Sequence, residues 1–136
     1  MWTWVQLLGQ MLYPTGKLLA VGYSGSAQGR NNPEFQDEID IGPIPVGHYT
    51  FEPPINSTTH GPFAMPLEPD PQNNMHGRSG FMCHGDNANH TASEGCIILD
   101  RASREAIWQS GNHQLQVVSG YTDNREDVEA ASADEY

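Results

Sequence analysis

Six of the ten prolines in this 136-residue chain fall within residues 52–74. Proline lacks the N–H that a helix interior needs and clashes with the preceding turn, so this segment cannot be helical. Its density predicts a long irregular excursion, of the kind that forms walls or lids around functional sites. Thirteen of the fourteen glycines are spread along the rest, and aliphatic runs are few. Together these features predict a single mainly β domain with large loops, not a helical bundle.

Along the chain, residues 2–12 and 17–23 read as two strands joined by the turn Tyr13-Pro14-Thr15-Gly16. Trp2 and Trp4 alternate on one face and are expected in the core. Residues 39–45 hold too much Pro and Gly for a helix and lead into a strand over 48–51. Residues 81–84 read as a buried strand, and 114–118 as the closing strand. One helix is predicted over 101–109, with Asp100 as its N-cap and an end near Gly111. Residues 1–122 form the expected domain. Residues 123–136 carry six acids against Arg125 and read as a solvated, disordered tail, with a partner-binding tail the alternative.

The formal charge of −11 argues against nucleic acid, which requires a basic surface. No segment is apolar for long enough to cross a bilayer, and residues 2–12 lack the basic start and cleavage site of a signal peptide. Action outside the producing cell therefore requires a signal-independent route, unless a leader has been lost. Two cysteines permit one disulfide and no framework. Cys83, in an apolar run, reads as a buried thiol and Cys96 as the reactive one.

The chemistry concentrates in residues 81–99, where His84-Gly85-Asp86 precedes Ser93-Glu94-Gly95-Cys96 by a short loop. A thiol attacks as thiolate, and a nearby imidazole can take its proton. The N–H groups of Gly95 and Cys96 are candidates for an oxyanion hole, and Ser93 for bracing the turn. Asp86 either orients His84 or forms an Asx turn. Arg78 reads either as a carboxylate-binding fork or as one arm of a structural ion pair. His90 could touch substrate from its polar loop, and Tyr23 and Ser24 could line the cleft. His48, His60 and His113 carry no motif and read as surface or packing residues. His76, His84, His90 and Asp86, with Cys83 or Cys96, match no common zinc spacing, so no metal or other cofactor is expected.

The His84-Gly85 pair followed by Ser93-x-Gly95-Cys96-Ile97 resembles the signature of YkuD-type L,D-transpeptidases. Three segments look closer still to the related peptidoglycan effectors delivered by type VI secretion systems: residues 77–97, Gly22-Tyr23-Ser24-Gly25, and residues 41–49. Glu94 stands where that signature has a histidine, and Ile98 where it often has an arginine, a role left to Arg78 or Arg101.

The resemblance implies a YkuD-like β-sandwich or barrel with one short helix and long loops. Its implied chemistry is attack by Cys96 on the bond before the terminal D-Ala of a peptidoglycan tetrapeptide. His84 would serve as base, its tautomer held by the Gly85 carbonyl. Resolution by water makes an L,D-carboxypeptidase; resolution by an amine makes an L,D-transpeptidase. The implied setting is an antibacterial toxin acting in a target cell's periplasm, with a cognate immunity protein and a secretion-system partner. Two other readings remain: a non-catalytic binding module for wall peptide or a partner on the same fold, and a thiol redox protein. The latter is disfavoured because Cys83 and Cys96 lack CxxC spacing.

Overall fold

The computed structural model describes residues 1–121, so the acidic stretch 123–136 lies outside the described residues. The chain is mainly β with one α-helix among those residues. Its strands are β1 (Trp2–Val5), β2 (Gln10–Leu12), β3 (Leu18–Val21), β4 (Tyr23–Ser24) and β5 (Gly47–Phe51). They continue with β6 (Ile55–Ser57), β7 (Gly61–Pro69), β8 (Met82–His84), β9 (Ile97–Ile98) and β10 (Gln114–Val118). The helix α1 (Arg101–Gln109) lies between the last two.

Nine strands form one ladder in the order β3-β2-β1-β10-β5-β7-β8-β9-β4, and β6 branches from β7. The sheet is mixed: β1–β10 and β8–β9 are parallel and the other pairs antiparallel. β3 and β4 end this ladder, yet Gly22 alone separates them in sequence. At about 4.8 Å per strand, nine strands laid flat would hold them roughly 38 Å apart. The sheet must therefore roll until its two ends meet at Gly22. There the Gly22 N–H donates to the Gly9 carbonyl at 2.8 Å. A Cβ on Gly22 would stand 1.8 Å from the Ile98 carbonyl oxygen, and backbone cannot yield as a flexible side chain can. Gly22→Ala is expected to cost about 1–3 kcal/mol or more, read as a lower midpoint in chemical denaturation; an unchanged midpoint would mean that the ends do not meet this tightly.

Trp2, Trp4, Met11, Tyr49, Phe51, Met65, Leu115 and Val117 fill the core inside this roll, all nearly inaccessible to solvent. The 13–16 turn closes as its residues predict, with Gly16 N–H donating to the Tyr13 carbonyl and Gly16 at φ 94°. Asp100 caps α1, accepting from the Ser103 N–H at 3.3 Å.

Two expectations are corrected. Residues 2–12 are not one strand: the chain reverses after Val5, Gly9 N–H donates to the Val5 carbonyl, and β2 returns against β1. The excursion at 52–74 is not irregular, since it contains β7, at nine residues the longest strand among the described residues. Its partner on one side changes from β5, which pairs with 67–69, to β6, which pairs with 61–64. Pro66 sits at that change-over, and its carbonyl still accepts from Glu52 N–H at 2.8 Å. A missing donor costs least where the ladder is already changing partners.

Candidate active site

Alternation along β8 sends Cys83 into the core and His84 to the opposite face, beside a cleft of about 700 Å³. Parallel pairing of β8 with β9 sets Cys83 beside Ile97 and His84 beside Ile98, so Cys96 arrives on the same rim one residue earlier. A ring nitrogen of His84 and Cys96 Sγ lie within 4.8 Å. His84 is almost fully buried, and its Nδ1 is 2.9 Å from the Gly85 carbonyl oxygen. A carbonyl only accepts, so Nδ1 carries the proton and Nε2 the lone pair. Nε2 is shielded from solvent and makes no hydrogen bond among the described residues. Burial pushes the imidazole below its usual range, the Gly85 carbonyl partly opposing, with a further downward push from His60.

Burial pushes the Cys96 thiol up, and the Glu94 carboxylate adds to this, while the Met82 amide and Arg78 pull it down. The pair therefore rests as a neutral imidazole beside a neutral thiol. Cys83 is inaccessible, and burial drives its thiol up to about 12, an inert group. Both cysteines are free thiols.

Two serines lock the turn that carries Cys96. Ser93 Oγ accepts from Gly25 N–H at 2.8 Å and Gly95 N–H at 3.0 Å and donates to the Cys96 carbonyl at 2.6 Å. Ser24 Oγ donates to the Gly95 carbonyl at 2.7 Å and accepts from Ile44 N–H at 2.9 Å. Ser24 is fully buried, so it braces the turn and does not line the cleft. Gly95 has φ 141°, and a Cβ there would meet an Arg78 nitrogen and the Phe81 ring at 2.7 Å. Because the Gly95 N–H is spent on Ser93, it is not the expected oxyanion donor; the Cys96 N–H makes no hydrogen bond among the described residues.

Arg78 is not an exposed fork, and it forms no ion pair among the described residues. Its guanidinium is buried and donates to four backbone carbonyls: Gln36 at 2.7 Å, Pro43 at 2.8 Å, Gly42 at 2.9 Å and Glu94 at 3.2 Å. It ties the loop before β5 to the Cys96 turn. Asp86 does not bond His84. Its carboxylate accepts from the Tyr23 hydroxyl at 2.6 Å and the Asn87 N–H at 2.8 Å and meets His90 Nδ1 at 2.7 Å, an Asx-type turn with two anchors. Burial opposes its ionisation, but the His90, Tyr23 and Asn87 hydrogen bonds outweigh that and hold it below the usual carboxylate range. Tyr23 also accepts from Ala92 N–H, and Arg30 stacks over its ring at 3.6 Å. Glu94 is among the residues lining the cleft.

Two residues escaped sequence reading. His60, expected at the surface or in packing, stands at the β6–β7 hairpin with its ring 4.5 Å from that of His84. Arg104 is buried under Gly85 and donates to the carbonyls of Leu99, Pro62 and Phe63, fastening α1 to the start of β7. Neither has a local signal: one follows a proline-rich run and the other sits within a helix, and only the fold brings them to the site.

A second groove of about 590 Å³ adjoins the cleft, sharing His60, Gly61, Gly85 and Asp86 with it. Arg30 and Arg101 stand exposed on its lining. No helix among the described residues is long and apolar enough to cross a membrane. No curated protein and no solved structure matches the chain. The family model of the Tlde1 domain matches residues 19–123, a span that takes in the cleft, both cysteines and the serine braces. The chain thus belongs to the Tlde1 domain family, a family of type VI secretion effectors.

Proposed function

We propose that this protein is a cysteine-dependent acyl-transfer enzyme acting on peptidoglycan stem peptides. The observation that carries the reading is His84 Nε2, a buried lone pair with no partner, on a ring fixed by Gly85 and beside the Cys96 thiol. An unpaired buried acceptor is costly unless it has a task, and taking a thiol proton is such a task. Cys96 Sγ attacks the carbonyl before the terminal D-Ala as Nε2 takes its proton. The Cys96 N–H, with the Gly95 N–H already bound to Ser93, is positioned to donate to the oxyanion. His84 returns the proton to the leaving D-Ala amine, giving a thioester. Water, or the amine of another D-amino acid, then resolves it with His84 again as base. The first outcome is carboxypeptidase action and the second exchange, both on a YkuD-type plan.

Arg78 being committed to carbonyls, the stem peptide's carboxylates fall to the adjoining groove, where Arg30 and Arg101 are the exposed cations. Arg101→Ala is expected to raise KM about tenfold with kcat little changed, since a charged hydrogen bond contributes about 1.5–3 kcal/mol. Its ion pair with Glu105 is solvent-exposed, so stability should barely move. A lowered kcat at constant KM would remove Arg101 from ground-state binding.

Family membership supports delivery as an antibacterial toxin with a cognate immunity protein, acting in the target's periplasm. The deciding experiment is mass spectrometry of tetrapeptide muropeptides incubated with reduced protein, with and without a free D-amino acid. Loss of one D-Ala marks hydrolysis and a mass shift to the added amino acid marks exchange. No change in either, with Cys96 reduced and the protein folded, would overturn the enzyme in favour of a wall-peptide binding module.

A further inference from the structure

The acyl-transfer steps leave His60 unused, although it faces the same cleft. It is held at the β6–β7 hairpin: Ser57 Oγ accepts from its backbone N–H at 2.9 Å, and its Nδ1 lies 2.9 Å from Thr59 Oγ1. That anchorage leaves Nε2 as its available donor. One ligand atom each from His60, His84 and Cys96 lies within 4.8 Å of the other two. With Nδ1 of His84 held by the Gly85 carbonyl, the nitrogen it has left for a ligand is the buried Nε2, which has no hydrogen-bond partner among the described residues. Three donors converge from three elements, the hairpin, β8 and the turn before β9, on a cleft with room for a fourth ligand.

We propose that His60, His84 and Cys96 form a zinc(II) site, and that zinc there holds the enzyme latent. The regulatory half of this inference rests on the acyl-transfer reading; the binding half does not. Two imidazoles and a thiolate with an open position for water are a donor set that zinc takes readily. Magnesium and calcium, which demand oxygen ligands, do not suit it. With Zn–S near 2.3 Å and Zn–N near 2.0–2.1 Å, tetrahedral ligand atoms stand roughly 3.3–3.6 Å apart. Closing from 4.8 Å needs about 1 Å of movement, within reach of side-chain rotation at half-buried His60 and Cys96. Binding replaces the thiol proton: Cys96 Sγ bonds zinc as thiolate and the proton leaves to solvent. The metal then occupies both the nucleophile's sulfur and the base's lone pair, and the site cannot attack a carbonyl until a chelator removes it.

The test titrates the full, reduced chain with cobalt(II) under anaerobic conditions, followed by competition with zinc(II). The expected result is a thiolate-to-cobalt charge-transfer band with the intense visible bands of tetrahedral cobalt, both displaced by zinc. Cys96→Ser should lose the charge-transfer band, Cys83→Ala should keep it, and His60→Ala should weaken zinc by more than about 100-fold, beyond the usual effect of losing an outer-sphere partner. His60→Gln, similar in size, guards against a hairpin defect and should weaken zinc likewise. In the wild type, zinc should stop turnover and EDTA restore it. Absence of the band, or zinc affinity unchanged in both His60 variants, overturns the site whatever the turnover. Metal binding as described in a protein inert towards stem peptides would instead overturn the enzyme reading and leave the site standing.

Discussion

Cys96→Ala is expected to remove at least about 10⁴-fold of the activity on tetrapeptides, because no other group on the cleft can form the thioester. Cys83 cannot take over: it lies in the core on the opposite face of β8, and its thiol is driven up to about 12. Cys83→Ala should therefore retain turnover, and iodoacetamide at neutral pH should label Cys96 in preference to Cys83. His84→Ala should cost about 10²–10⁴-fold, the usual worth of a positioned base. The pH dependence has a definite sign. The His84 imidazole is depressed below 6.5 and the Cys96 thiol raised above its ordinary 9.0, so the competent neutral pair persists between those values. The acid limb of kcat/KM should fall below pH 6.5, where protonation of His84 removes the base. Alkylation of Cys96 without substrate should instead climb steadily through neutral pH. A resting thiolate–imidazolium pair would alkylate rapidly at pH 6. Turnover surviving Cys96→Ala would end the mechanism outright.

Arg78→Ala is expected to be the most destabilising single change near the site. It strips hydrogen bonds from four carbonyls, of which those of Gly42 and Pro43 are bonded in buried surroundings. Unsatisfied buried groups cost about 1–3 kcal/mol each, so a net loss of about 3 kcal/mol or more follows even after partial hydration. For a chain of this size that corresponds to roughly 10 °C in Tm. Arg78→Lys should rescue little, since an ammonium cannot reproduce a planar fork aimed at four acceptors. Thermal denaturation separates this role from substrate binding: a carboxylate-binding arginine would leave Tm unchanged and raise KM alone.

Some of this was legible residue by residue. The 13–16 turn, the Asp100 cap and the strand at 81–84 depend on neighbours a few positions away, and local chemistry suffices for them. His84 and Cys96 could be paired from their motif, and the register of β8 against β9 puts them on one rim. Features that depend on distant partners were not legible. Nothing near Gly9 announces that the run 2–12 breaks into a hairpin. Prolines argued against regular structure at 52–74, yet the ladder absorbs Pro66 by changing partners beside it. Arg78 read as a carboxylate-binding fork or an ion-pair arm because its four acceptors lie on loops up to 42 residues away. His60 reached the cleft only through the hairpin that those prolines seemed to forbid.

The braces of the Cys96 turn have a temporal consequence. Ser24 reaches Gly95 across 71 residues of chain, Gly25 reaches Ser93 across 68, and Tyr23 reaches Asp86 across 63. Such contacts close large loops and form slowly relative to local turns. A chain that has collapsed but not yet joined these segments already carries His84, Cys96 and their whole motif, without the geometry that arms them. During refolding, the capacity to acylate should lag behind burial of Trp2 and Trp4. On the acyl-transfer reading, activity follows completion of the topology, and a chain kept unfolded should show none.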